Sequence, residues 1–386
     1  MTEPIIVDTN TGKKDGQNKC PNCGSTDVTL QPGTGKLRCN YCRTVFDPPK
    51  LEGFKDADEL EGEVVGSGAA DISQPDNTQV TIKCQGCGAE VVIDVTESMN
   101  ARCHWCREYL SVENQIPNGA VPDSVLPFLL SKQQAQAKIA EFVKQRSFFA
   151  NKTFKREFTT NNILGVYLPY LVVDANTHSR LEGFGGRVVR TYTRGSGDSK
   201  QTYYDIDVYN VGRDFDLAIS GLTVEGSADK RNINALANTT NVINAIMPFD
   251  VENSVPYNGN YLKGFTSERR DTNVDDLRPL AEAQIGDIAR YQANQTAAGY
   301  NAGIRWDQEK VDLKGTQWRS AYLPVWLYSY LEVKSSGKRL LHYVAVNART
   351  GETMGSVPVN LSRLWAISII AEVLSIFGIY LINVFR

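Results

Sequence analysis

CPNCGSTDVTLQPGTGKLRCNYC, residues 20–42, and CQGCGAEVVIDVTESMNARCHWC, residues 84–106, share one framework. Each reads C-x2-C-x15-C-x2-C, pairing Cys20/Cys23 with Cys39/Cys42 and Cys84/Cys87 with Cys103/Cys106. Together they use all eight cysteines of the 386-residue chain. A tetrahedral Zn²⁺ takes four thiolates at about 2.3 Å. Two CxxC turns brought together by a hairpin supply that geometry. CPNCG and CQGCG each place a glycine after the second cysteine, where a tight turn favours positive φ. Residues 27–30 and 90–93 read as strands behind the leading knuckles. A disulfide framework or a pair of redox CxxC motifs gives no reason for the 15-residue gap to recur. The expectation is two structural Zn²⁺ ions, in ribbons at 19–46 and 80–112. Thiolate ligands must stay reduced, which places them in the cytoplasm. Loss of Cys39 or Cys103 is expected to unfold its own ribbon and spare the domain at 121–357.

The sequence around the ribbons is polar. Residues 1–18 have no periodicity and read as a disordered tail. Residues 47–79 hold nine acidic residues against two lysines, with Gly-Ser-Gly at 66–68, and read as a flexible tether. His104, inside the last knuckle, reads as an exposed residue because four cysteines already fill the shell. Pro32-Gly33-Thr34-Gly35-Lys36 lacks the full phosphate-loop pattern and reads as a hairpin turn. The net charge is −3 and the isoelectric point near 5.8. The second ribbon sets Lys83, Arg102 and Arg107 against Glu90, Asp94, Glu97 and Glu108. Counterion release needs a basic face, so nucleic acid is the less favoured partner.

The end of the chain turns apolar. Residues 364–385, LWAISIIAEVLSIFGIYLINVF, carry one charge and as a helix would span about 33 Å. A bilayer core is roughly 30 Å thick. Trp365 and Tyr380 lie toward the two ends, and Arg363 and Arg386 bracket the run. The reading is a single membrane-spanning anchor. Met1 to Asn18 has no apolar run of the signal-peptide kind, so the bulk is expected on the cytoplasmic side. Glu372 falls mid-span, and Ala371 and Ser375 form a small-x3-small step beside it. These three are candidate contacts with another membrane helix.

Residues 121–357 read as a mixed α+β domain. Helical patterns cover 131–146 and 276–298. Strand patterns cover 163–173, 186–194, 202–210, 215–224, 321–333 and 339–347. Leu126-Pro127-Phe128 precedes a helix and then Tyr167-Leu168-Pro169-Tyr170. Met247-Pro248-Phe249 precedes a helix and then Tyr322-Leu323-Pro324-Val325-Trp326. The parallel order reads as an internal duplication of two α/β units.

IMPFDVENSVPYNGNYLKGFTSERRDTNVDD, SAYLPVWLYSY and HYVAVNARTGETMGSVPV resemble bacterial membrane proteins that carry transcription-factor-B-type zinc ribbons. The resemblance covers about residues 84–357. Proteins of that kind are often labelled helicase- or primosome-like, yet this chain has no helicase motor. The resemblance implies work beside flotillin-like (SPFH) and phage-shock-A-like proteins at the membrane, hence an adaptor. This chain departs from the pattern in having two ribbons and one C-terminal span. Against an enzyme stand three histidines, His104, His178 and His342, in no catalytic motif, and metal shells with no open position for water. The expectation is a non-enzymatic, membrane-anchored adaptor; the alternative is a membrane-tethered nucleic-acid-binding or transcription-linked protein.

Overall fold

A computed structural model describes residues 20–25, 28–31, 33–48, 51, 55–66, 68–70, 79–83, 90–94, 103–104, 115–116, 122–195, 200–227, 244–257, 259–262, 264–268, 270–334 and 339–384. The architecture is mixed α+β. Strands β1 (Val28–Gln31), β2 (Lys36–Cys39) and β3 (Val45–Phe46) form a small antiparallel sheet. The other strands of the described residues, twelve in number, form a second sheet. Its short members are β4 (Gly62–Val65), β5 (Gln79–Lys83), β6 (Glu90–Asp94), β7 (Gln115–Ile116), β8 (Ser124–Val125), β11 (Val255–Pro256), β12 (Thr266–Glu268), β14 (Arg339–Asn347) and β15 (Thr353–Gly355). Its long members are β9 (Leu164–Arg194), β10 (Gln201–Glu225) and β13 (Ile304–Val333). Among the described residues four α-helices accompany them: α1 (Lys132–Arg146), α2 (Lys152–Glu157), α3 (Val274–Gln295) and α4 (Leu361–Val384).

The long strands are the main departure from the sequence reading. The patterns at 163–173 and 186–194 are the two ends of one strand, and those at 202–210 and 215–224 lie within another. At about 3.3 Å per residue, the 31 residues of β9 trace a path of about 100 Å. The middle of β9, DANTHSRLEGFG at 174–185, is too polar and glycine-rich to alternate. It stays extended because β10 and β13 pair with it on both edges. Gly183 is required there: a Cβ would stand 2.1 Å from the Arg305 carbonyl oxygen. Beyond Gly185 the partner β13 stops, and β9 and β10 continue alone as a two-stranded arm.

The two Tyr-Leu-Pro segments meet at the centre. In the antiparallel β9–β13 pair, Leu168 faces Leu323, Tyr167 faces Pro324, and Pro169 faces Tyr322. Each proline carbonyl accepts from the end of the following strand: Gly226 N–H donates to Pro169 and Ala348 N–H to Pro324. Short strands close the arrangement, β12 parallel to β9 and β8 parallel to β13. Leu168, Val166, Leu323 and Val325 pack on one face of the sheet. Tyr167, Tyr322, Trp326 and the buried side of α1 pack on the other. Helix α3 presents Leu277, Ala281, Ile285, Ala289 and Ala293, a stripe at four-residue spacing buried against the sheet.

The NARTGE turn is a clasp rather than a surface loop. Asn347, fully buried, donates through Nδ2 to the carbonyls of Ile246 and Pro248 at 2.9 Å each. Arg349 forks onto Asp250 through Nε and Nη2 and donates through Nη1 to the Pro127 carbonyl. Both Pro-Phe turns are thereby tied to the end of β14.

Two expected independent segments are bound to this body. Leu30 and Leu37 of the small sheet bury in the same cluster as Val125, Phe128 and Tyr261. The described part of 47–79 is not a free tether either. Leu60 is 1% exposed, β4 pairs in parallel with β13, and Glu63 bonds Arg278. The composition concealed this because only Ala57 and Leu60 of 55–61 turn inward, while the acids stay in solvent.

Candidate metal centre and membrane helix

The first ribbon folds as its spacing requires. Cys20 and Cys23 form the turn before β1, Cys39 ends β2, and Cys42 sits in the turn before β3. Backbone bonds close both knuckles: Gly24 N–H donates to the Cys20 carbonyl at 2.9 Å, and Arg43 N–H to the Cys39 carbonyl at 3.0 Å. The residue after each second cysteine is left-handed, Gly24 at φ 70° and Arg43 at φ 66°. Glycine suits the first position; arginine bears the strain in the second.

The four sulfurs lie within 4.8 Å of one another, with Cys20–Cys42 at 3.4 Å and Cys23–Cys39 at 3.6 Å. A tetrahedron with metal–sulfur bonds of about 2.3 Å has edges of about 3.8 Å. The sulfurs therefore fit a four-thiolate shell. Their charges are unequal. Cys42 is held down to about 5, first by the Thr44 hydroxyl, then by the Thr44 backbone N–H. Cys39 is also lowered, chiefly by the Cys42 backbone N–H. Cys23 moves the other way, up to about 12: the lowering Ser25 backbone bond is outweighed by desolvation and the three neighbouring sulfurs. Thiolates that oppose one another's ionisation are what a divalent cation neutralises. Zinc would bind Cys20, Cys23, Cys39 and Cys42 in a closed shell and would act there as a structural staple.

For the second ribbon, Cys84, Cys87 and Cys106 lie outside the described residues. What is described joins the main body. Strands β5 and β6 pair antiparallel, β6 pairs with β12, and Val91 and Cys103 are buried in the core with Leu168 and Leu323. His104 corrects the sequence reading. It is 1% exposed rather than a surface residue, with Nε2 2.6 Å from Glu268 Oε1. The Ser329 hydroxyl donates to its carbonyl at 2.6 Å. The signal was absent from the sequence because Glu268 is 164 residues away.

The other two histidines are braced as well. His178 lies between Asp214 and Asp216 on the exposed face of the β9–β10 pair. His342 contacts Ser356 Oγ through Nδ1 at 3.2 Å and Glu332 through Nε2 at 3.3 Å. All three stand against carboxylates that lie on strands, Glu268, Asp214, Asp216 and Glu332.

Leu361–Ile379 is long and apolar enough to cross a membrane, and none of it is buried against the rest of the molecule. Its apolar side chains point outward all round, with Ile370, Leu374 and Phe377 each more than half exposed. That excludes a core helix as the reason for its composition. Ala371, Glu372 and Ser375 are exposed on it. Ser375 Oγ donates to the Ala371 carbonyl at 2.8 Å, so its hydroxyl is satisfied within the helix.

The chain is 24% identical over 354 residues to an uncharacterized Bacillus subtilis (strain 168) protein, YdjG, an alignment covering 90% of this chain and 92% of that protein. No protein-family model and no solved structure matches the chain.

Proposed function

We propose that this chain is a non-enzymatic adaptor, anchored by α4 with its bulk in the cytoplasm, that recruits proteins to the membrane surface. Two structural zinc ions, one per ribbon, belong to the same reading, with Cys84, Cys87, Cys103 and Cys106 as the second set. The observation that carries it is the run of β9 and β13. Their paired ends at Leu164 and Leu327 lie toward the base, where Asn151 contacts Glu332 and residues 150 and 359 bridge. From there the strands run continuously away to the arm. The arm exposes Val189, Tyr203, Tyr204, Ile206 and Val208, each more than 40% accessible. A membrane anchor at one end and an apolar, aromatic blade at the other is the division of labour an adaptor needs.

The first ribbon is packed onto the body, so it acts as a fixed surface near the base rather than a searching module. Partners of the flotillin-like or phage-shock-A-like class follow from the sequence resemblance. The exchanged placement of β8 and β12 around the Tyr-Leu-Pro pair supports the reading of two duplicated α/β units.

The test shortens the arm. Gly186 pairs with Val208, so replacing 187–207 by Asn-Gly closes the hairpin one step later with a favoured two-residue turn. Membranes carrying the shortened chain should keep the protein and lose its cytoplasmic partners in a quantitative pull-down performed with nuclease. An unchanged partner set would refute the assignment to the arm. A partner set removed by nuclease alone would favour the nucleic-acid-linked alternative.

A further inference from the structure

The place where α4 joins the body is unusually basic. Between Lys144 and Arg156 there are five cations, Lys144, Arg146, Lys152, Lys155 and Arg156, and no acid, in a chain whose net charge is −3. All five are exposed. The segment is fastened directly to the start of the span. Residues 150 and 359 form an antiparallel bridge, Asn360 N–H donates to the Phe149 carbonyl at 2.8 Å, and Asn151 N–H donates to the Pro358 carbonyl at 2.8 Å. Arg363, in the first turn of α4, donates to the Phe148 carbonyl at 3.1 Å and lies 4.3 Å over the Phe148 ring.

The side chains sort by face. Phe154 is buried against Tyr328 and Tyr330, which turns α2 inward on that side. Lys152, Lys155 and Arg156 recur at three- and four-residue spacing on the opposite side. Phe148 is 53% exposed beside them, and Trp365 is 67% exposed one turn into α4. Glu157 is the nearest acid in sequence, and it is occupied by the Tyr330 hydroxyl at 3.1 Å and Arg156 at 3.7 Å.

We infer that residues 144–156, with Arg363, form a membrane-interface foot that binds anionic lipid headgroups and sets the body upright on the bilayer. The cations meet the headgroup phosphates, while Phe148 and Trp365 enter the boundary layer, as amphipathic aromatics do at such depths. A single helix leaves the body free to swing; a second, electrostatic contact beside it fixes the tilt and hence the height of the arm. Basic residues next to a span also favour the cytoplasmic side, in keeping with the topology proposed above, on which this inference rests.

The test uses the full chain in nanodiscs, either zwitterionic or containing about one-third anionic phospholipid, read by amide hydrogen exchange. Each Lys or Arg near an anionic surface shifts its contact equilibrium roughly fivefold, so two engaged cations predict at least about tenfold slower exchange at residues 147–157 in anionic discs. The protection should fade in high salt. It should also vanish when the five cations become Gln (K144Q, R146Q, K152Q, K155Q, R156Q), with α3 exchange unchanged as the check on folding. Inorganic phosphate added to zwitterionic discs should give no protection; protection there would assign the site to free phosphate and overturn the lipid foot. Equal exchange in the two lipids, with the chain inserted in both, would overturn the foot and leave the anchor standing. Failure to insert in either lipid would overturn the anchor and the foot with it.

Discussion

Removing Cys39 from the first ribbon should destabilise the whole body, because the ribbon is part of its core. The ribbon's own interior is small: Cys20, Val28 and Cys39 are buried, with Cys42 and Phe46 packed against them. Three of those five are candidate ligands, so Cys39→Ser should remove any metal held there and most of the ribbon's reason to fold. The outer face then fails as well. Leu30 is 8% exposed and Leu37 is fully buried, both against the cluster holding Val125 and Phe128. Burying one leucine contributes about 1.5–3 kcal/mol, so losing both costs the body about 3–6 kcal/mol. A denatured state that keeps some apolar contact lowers the expectation toward the smaller figure. For a body of this size, about 3 kcal/mol corresponds to a fall of about 6–12 °C in Tm. Calorimetry of detergent-purified protein, with zinc measured in parallel, gives both quantities. A chain that loses one metal ion and keeps its main transition within a degree would refute the reasoning and restore an independent ribbon.

Arg43→Gly should leave metal content unchanged and raise stability by about 1 kcal/mol, since a left-handed arginine at φ 66° is relieved; a loss of stability in urea melts would contradict it. Gly315→Ala should displace residues 60–65, because the added Cβ would fall 2.4 Å from the Leu60 carbonyl carbon and 2.5 Å from its oxygen. Limited proteolysis should then cut within 55–66, at a cost of about 1–3 kcal/mol. Arg349→Ala should leave the half-buried Asp250 without its cation, with only Asn253 Nδ2 still donating to it, and free the Pro127 carbonyl, costing about 2–3 kcal/mol; a change under half a kcal/mol would refute the clasp. Deleting 361–386 should release the protein into the soluble fraction with α3 protection intact; sedimentation with membranes after a high-salt wash would show that α4 is not the sole attachment.

Features that rest on local chemistry are legible in the order of residues. Four cysteines at that spacing fold into a knuckle pair with little help, because the turns, the hairpin and the ligands all lie within 23 residues. The apolar run at the end is legible for the same reason: its composition is uniform, and a helix needs no distant partner to satisfy its backbone. The start of α1 is equally local, since Ser131 and Gln134 form a capping box across three residues. The remaining features depend on contacts between segments far apart in the chain. Whether 174–185 is a loop or mid-strand depended on two partner strands that begin 16 and 119 residues after its last residue. His104 reads as a surface residue until Glu268 is brought beside it, and the acidic stretch reads as a tether until Leu60 is pressed against Gly315. In each case the deciding contact is nonlocal, so its energy appears only once the chain has closed the intervening loop.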